Sequence, residues 1–382
     1  MSQRPVTPRR RVLSALAHEA PETDLLGGRV PFSWNFGPTP EMAAELTRYL
    51  AERGIDWLAL RDAVDDVRQV APVYVGPALP AGTDIWGIRR RSHSYGTGAY
   101  DEIAHHPLAG MRDPAALDDV PWPDPGAYDY AGLREQVLVA ARGPEGQDHT
   151  YAVKLAIRMC GNPFEIYCWM TGLEEALVSV LLYPQLVRAA LERITTYFAA
   201  TLHLALDHVG DLVDILYFAD DLGGQQGLLM SPRAYREVLK PYHAELFRVA
   251  KHHAPTTAVM FHSDGAVFDI LPDLIDAGVE VLEAVQVDAK GMEPERLKAA
   301  YGERLSFHGG IAVQSLLPTA DAATVDAECR RLVEVFGEGG GYIAAPTHAI
   351  QVGTPPENVL AMLRGVLGEA DYEAALTVAR CR

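Results

Sequence analysis

No two cysteines of this chain stand in a CxxC spacing; Cys160, Cys168, Cys329 and Cys381 lie far apart. That argues against a zinc ribbon or a disulfide framework and suits a reducing cytoplasm. Positive charge is also scarce. The 33 Lys and Arg are outnumbered by 51 Asp and Glu, for a net charge of −18. A surface of that sign disfavours nucleic acid and anionic membranes as partners, although a local basic pocket for an anionic substrate stays compatible with it. Long apolar runs are missing too, and none approaches the roughly 20 residues of a membrane span. The run Val12–Ala17 after Arg9-Arg10-Arg11 is too short for a signal-peptide core, is followed by His18 and Glu19, and reads as an amphipathic helix. A soluble, cytoplasmic protein is expected. No GxGxxG or GxxxxGK[ST] follows a strand pattern, so nothing points to a dinucleotide or P-loop site.

What is present is enough apolar material for a large core, 48% of 382 residues, in a repeating order. Short β-branched runs predict strands at Arg29–Asn35, Ile55–Leu60, Tyr151–Arg158, Leu212–Asp220, Thr256–Asp264, Val279–Gln286, Leu305–Ile311 and Gly341–His348. Helix-period stretches fall between them, including Glu41–Glu52, Gly172–Leu182, Pro184–His208, Pro232–His252, Val267–Ala277 and Ala322–Phe336. Strands alternating with helices imply a parallel sheet, because parallel neighbours need crossover connections. Eight of them close into a (β/α)₈ TIM barrel, with a doubly wound open sheet as the alternative. The spacing breaks once, between Arg61 and Thr150, where Pro/Gly-rich and Pro/Asp-rich stretches occur. Such a length is read as an insertion with short elements of its own, folded as a lid over one barrel face of a single domain.

Polar groups concentrate at the predicted C-terminal strand ends, the face where barrel enzymes carry their active sites. They include Asn35, Arg158, Asp220 and Asp221, His262 and Asp264, Glu283 and Gln286, His308, and His348. Each has a structural alternative: Asp220 or Asp221 as a helix cap, His308 as a core histidine, Glu283 as an ion-pair partner of Arg158. Their coincidence at one end is what points to a site. His262 and Asp264, two apart on a strand, face the same way. With His348 from the last strand they form a set able to hold zinc, or equally iron or manganese. The alternative is that they bind substrate or helix ends without a metal.

The segments Phe218-Ala-Asp-Asp-Leu-Gly-Gly-Gln with Ser231-Pro, Phe261-His-Ser-Asp-Gly, Gly278-Val-Glu-Val-Leu-Glu-Ala-Val-Gln, Phe307-His-Gly-Gly-Ile and Thr354-Pro-Pro-Glu-Asn resemble the uroporphyrinogen decarboxylase superfamily. Arg29-Val-Pro and Gly161-Asn-Pro-Phe-Glu fit as well. The resemblance runs in order over nearly the whole chain and implies the same barrel. It implies one of two chemistries. Decarboxylases of that superfamily hold porphyrinogen acetates with arginines after the first strand, where this chain has Pro31-Phe-Ser-Trp-Asn-Phe-Gly37 and no arginine. Arg158 and Arg89 to Arg91 are left to hold a different acid. Methylcobalamin-linked methyltransferases bind zinc through His-x-Cys and a distal Cys, at positions matching His262, Asp264 and His348, with Glu283 as a further carboxylate. Replacing thiolates by Asp and His makes the site harder, which favours activating oxygen over a thiol.

The leading expectation is a metal-dependent methyl or one-carbon transferase acting on a small molecule, linked to a corrinoid that is free or carried by a partner protein. In it His262, Asp264 and His348 hold the metal, and Asp220 or Asp221 serves as general acid/base. Glu283 sets the charge, and Asn35, Arg158, Gln286 and His308 contact substrate. The alternatives are a decarboxylase of a porphyrinogen-like polycarboxylate and a non-catalytic corrinoid or tetrapyrrole binder. The resemblance also suggests a homodimer.

Overall fold

Successive residues of a strand face opposite sides, and in this chain the two sides sort into two cores. Val67, Ala152, Ile215, Tyr217, Met260, Val281 and Ile343 form a small cluster with Val12. Their chain neighbours Val153, Leu216, Phe218, Val259, Phe261 and Leu282 belong to a large one, as does Phe307 between Ser306 and His308. In the computed structural model, which describes residues 6–19, 28–94, 99–144, 146–156 and 161–380, these residues lie on seven strands. They are β1 (Val67–Val70), β2 (Ala152–Leu155), β3 (Ile215–Ala219), β4 (Ala258–His262), β5 (Val281–Ala284), β6 (Ser306–Ile311) and β7 (Tyr342–Pro346). They pair in parallel in sequence order. The small cluster therefore lies inside the curled sheet and the large one under the helices.

The residues expected as the first strand span the gap between the sheet's edges through single bonds. Ser33 N donates to Ala344 O and Ala344 N to Pro31 O, each at 2.9 Å, on the β7 side. On the β1 side Asp66 N donates to Phe32 O, also at 2.9 Å. The Phe32–Ala344 bridge is parallel, so this segment occupies the eighth place that the barrel expectation assigned to a strand.

Helix α1 (Pro8–Leu16), capped by the Thr7 hydroxyl, closes the end at which the strands begin. Val12 enters the inner cluster, while Arg11 pairs with buried Asp66 before β1 and Arg9 with Asp214 before β3. The helix expected at Glu41–Glu52 is α2 (Pro40–Ala51), capped by Thr39, whose hydroxyl accepts the Met42 amide.

Ile55–Leu60, expected as the second strand, is instead the start of α3 (Trp57–Val64). Asp56 Oδ1 accepts the Ala59 amide at 2.9 Å, the bond of a helix N-cap. β1 takes the second strand's place, so the long connection to β2 begins only after Val70. It contains the antiparallel pair Arg89–Ser94 and Ala99–His105 and the helix α4 (Leu133–Ala141).

Four outer helices follow: α5 (Pro163–Thr171), α6 (Leu173–Leu182), α7 (Pro184–Val209) and α8 (Pro232–Val238). The next, α9 (Lys240–His253), starts where the expected helix Pro232–His252 breaks at Leu239. The long connection is tied to this side. His106 Nδ1 meets Trp169 O at 2.7 Å, Gly110 N donates to Glu175, and Arg134 pairs with Asp211. No helix among the described residues is long and apolar enough to cross a membrane.

Candidate active site

Two residues beyond the inner apolar plug, the same strand faces turn polar. The steps are Val67 to Gln69, Ala152 to Lys154, Ile215 to Tyr217, Met260 to His262 and Val281 to Glu283, and His308 joins them from β6. Residues i and i+2 share a face, so these side chains form a layer near the strands' C-terminal ends. Glu283, fully buried, is its hub. Its Oε1 accepts from Asn35 Nδ2 at 2.5 Å, and its Oε2 accepts from Tyr217 Oη at 2.7 Å and His262 Nδ1 at 2.5 Å. Asn35 reaches it from a left-handed turn with φ of 56°, a conformation Asn tolerates well. Asn35 Oδ1 in turn accepts from Lys154 Nζ at 3.3 Å, and that ammonium lies 4.5 Å from the centre of the Tyr217 ring.

Burial sets opposing pressures here, and the pairing resolves them. Desolvation alone would depress His262, but the charge and hydrogen bond of Glu283, aided by Asp221 and Asp264, raise it well above the usual imidazole range. Desolvation would raise Glu283, but the charge and hydrogen bond of His262, and then the charge of Lys154, hold it below the ordinary carboxyl range. The pair is therefore imidazolium–carboxylate at neutral pH in the metal-free protein. Burial, and then the nearby Lys154, push His308 down to about 3, so that ring is neutral. Neither of its nitrogens bonds a protein group among the described residues.

Above this layer, at the mouth, His262 Nε2 lies 3.5 Å from Asp221 Oδ1. His262, Asp221 and Asp264 can each present one ligand atom with all three within 4.8 Å of one another. Asp221 Oδ1 also accepts the Asp264 amide at 2.9 Å, fixing the loop that carries the second carboxylate. Asp264 titrates above its ordinary range because of burial and the neighbouring Asp221, against the pull of His262 and His348. Two crowded carboxylates beside an imidazole nitrogen invite a cation. His348 is near enough to act on Asp264 but outside this triangle. It is exposed and stacks on Phe36 with ring centres 4.7 Å apart. The third member is thus Asp221 where the sequence suggested His348, because the Leu222–Gly223 turn brings Asp221 against the β4 loop. Ser263 Oγ holds that turn by accepting the Leu222 amide at 2.9 Å.

Asp220 is not at the mouth, which corrects its expected general acid/base role. It is fully buried, and its carboxylate accepts the Phe164 amide at 3.0 Å and the Glu165 amide at 2.5 Å, the first turn of α5. It also meets His243 Nε2 at 2.7 Å. A strand-end carboxylate holding a helix N-terminus satisfies both orphan donors and the macrodipole. Asp220→Ala would leave two amides and an imidazole unpartnered and is expected to cost about 3 kcal/mol in urea unfolding, with Asp220→Asn losing less.

Gln286 is likewise structural on one side, its Oε1 accepting Gly265 N at 2.8 Å. Arg158 lies outside the described residues. Arg90 pairs with Asp84 in the long connection.

Three residues of the candidate site are not among those expected from the sequence. Lys154 and Tyr217 carried one signal, a polar side chain in an apolar run at the parity of the strand's inward face. Glu165, in the Gly161-Asn-Pro-Phe-Glu turn, is the third. Burial raises it to about 7, opposed by its hydrogen bond from Asn162, with Asp221 and Asp220 adding to the rise.

The model of the family described as uroporphyrinogen decarboxylase (URO-D) matches residues 152–367. Among curated proteins, a uroporphyrinogen decarboxylase of Coxiella burnetii (strain Dugway 5J108-111) is 23% identical over 367 residues, covering 91% of this chain and 86% of its own. One of Pseudoalteromonas atlantica is 25% identical over 163 residues, covering 41% of this chain and 45% of its own. Among solved structures, a methyltransferase from Methanosarcina mazei superposes with a TM-score of 0.62 at 17% identity, over 94% of this chain and 98% of that one. At that identity the likeness shows the fold.

Proposed function

The chain belongs to the uroporphyrinogen decarboxylase family, and from that premise we propose a metal-dependent methyl or one-carbon transferase acting on a small molecule. The observation that carries the reading is the Glu283–His262 pair standing behind the Asp221–Asp264 carboxylates. Glu283 takes the Nδ1 proton of His262 as a hydrogen bond, which leaves Nε2 as the nitrogen turned to the mouth. Carboxylate, imidazole and ion in line is the arrangement by which an outer carboxylate orients a metal-binding histidine. The 3.5 Å from Nε2 to Asp221 matches the spacing of two ligands on one ion with bonds of about 2.0–2.2 Å. The donor set fits zinc, with iron or manganese also compatible.

His262, Asp221 and Asp264 would hold the ion, with His348 at the rim. When bound, a metal supplies Lewis acidity toward a substrate oxygen. Glu165, titrating near neutrality close to Asp221, takes or returns the substrate proton. Phe36, 43% exposed beside His262 and His348, gives the substrate an apolar wall. A corrinoid, free or on a partner protein, belongs to this proposal as the other methyl carrier.

The relatives' name favours decarboxylation as a second reading, which requires cations for the substrate's carboxylates. A cleft of about 380 Å³ beside Asn35 is lined by Arg61, Arg68 and Lys154. There Arg61 already pairs with Asp62, Arg68 pairs with Asp62 and Asp65, and Lys154 is buried. Methyl transfer abolished by a chelator and restored by zinc supports the first reading. Turnover of a polycarboxylate untouched by chelator supports the second.

The raised His262 gives a further test. Metal binding must displace its Nε2 proton, so at pH 7 each ion bound at the mouth should release about one proton, and affinity should rise with pH. Calorimetry in buffers of different ionisation enthalpy reads this. Heats that do not depend on the buffer would contradict the assignment.

A further inference from the structure

We propose that His203, Asp207 and His253 form a second divalent-metal site, for a borderline ion of the zinc class, on the outer surface of the protein. His203 and Asp207 are one turn apart on α7 and so share a face, and His253 is the last residue of α9. Each can present one ligand atom with all three within 4.8 Å. Every pair in the group is in contact. His203 Nδ1 lies 2.9 Å from His253 Nε2, His253 Nδ1 lies 3.3 Å from Asp207 Oδ1, and His203 Nε2 lies 3.6 Å from Asp207 Oδ2. These closest approaches use both nitrogens of each imidazole and show how tightly the three side chains pack; the ligand set is one nitrogen from each histidine with one Asp207 oxygen, all within 4.8 Å of one another.

The competing explanation is a hydrogen-bonded imidazole pair with a nearby carboxylate. Zn²⁺ uptake separates the two, because a hydrogen-bonded chain alone takes up no ion. Two imidazoles with a single carboxylate select Zn²⁺, Cu²⁺ or Ni²⁺ over Mg²⁺ or Ca²⁺. The His203 and Asp207 side chains are 57% and 53% exposed and His253 only 17%. An ion held there keeps an open position toward water while its third ligand stays anchored.

The site lies at the ends of α7 and α9 that lead into β3 and β4, opposite the strand ends that carry the mouth. An ion there staples two outer helices and stabilises the fold by mass action, without touching the chemistry.

The test uses the full chain stripped of metal and titrated with Zn²⁺ against a chromophoric chelator, with melting followed in parallel. In the His262→Ala background, which lacks the mouth ligand, about one equivalent should still bind and raise the melting temperature. Adding His203→Ala or Asp207→Asn should abolish both effects. Should His262→Ala fail to fold, His203→Ala and Asp207→Asn alone should each bind about one equivalent fewer than the parent and keep its transferase activity. Parent-like stoichiometry and an unchanged melting response to Zn²⁺ in both surface variants would overturn the proposal.

Discussion

Glu283→Ala is expected to destabilise the metal-free protein by about 3–5 kcal/mol in urea unfolding, because it strands a buried imidazolium with no counter-charge. The same change also deprives Asn35 Nδ2 and Tyr217 Oη of their acceptor. Glu283→Gln keeps one acceptor oxygen, enough for the donors on one side, but not the charge, so its loss should be smaller. The difference between the two variants separates the ion pair from the hydrogen bonds.

The effect has a pH signature. Glu283 is depressed in the folded state, so its contribution is complete above the unfolded carboxyl value of about 4.3. It is lost as pH falls through the depressed one. His262 is raised, so its contribution is complete below the unfolded imidazole value of about 6.5 and fades as pH rises toward the raised one. The gap between wild type and Glu283→Ala should therefore be widest between about pH 4.3 and 6.5. A gap that keeps growing above pH 8 would contradict the pairing. With metal present, the variant should also bind the mouth ion about 10–100-fold more weakly, since Glu283 orients its ligand.

Gly309→Ala should be as damaging, for a steric reason. A Cβ at Gly309 would stand 1.9 Å from Ala284 O and 2.7 Å from Ala284 C, and the residue's φ of +126° is unfavourable to any side chain. The obstacle is backbone of β5 next to Glu283, so no rotamer change relieves it. We expect a loss of more than about 4 kcal/mol or failure to fold. Gly310→Ala is the control. Its φ is +86° but its Cβ would meet nothing nearer than Phe336 at 3.4 Å, so only the conformational cost of about 1–3 kcal/mol applies. Equal urea midpoints for the two variants would refute the close-approach argument.

Long amphipathic helices were the most legible part of the sequence. Pro184–His208 was expected and Pro184–Val209 is found; Ala322–Phe336 was expected and Ala322–Gly337 is found. Apolar runs flanked by helices place six strands of the sheet, from β2 to β7. Ile55–Leu60 misled because a short apolar run fits a strand or a buried helix equally. Asp56, the residue that settles it, acts through a cap bond that spacing alone does not reveal.

At the site, the strand-end cluster located the mouth, and His262 with Asp264 are together there. Asp220 and Asp221, adjacent in sequence just beyond β3, part company: one anchors α5 and the other faces His262. Glu283 stands out in the sequence, but Lys154 and Tyr217 of the same layer do not, because each sits singly in an apolar run. Only the barrel's curvature brings them together.

We propose that His262, held by Glu283, and the carboxylates of Asp221 and Asp264 bind a metal at the mouth. It is tested most directly by metal content per chain in protein purified without chelator, for wild type, His262→Ala and Asp221→Asn side by side. The account predicts that both variants carry about one ion fewer than wild type while remaining folded by circular dichroism. A wild type without metal, or variants with the same metal content as wild type, would contradict it.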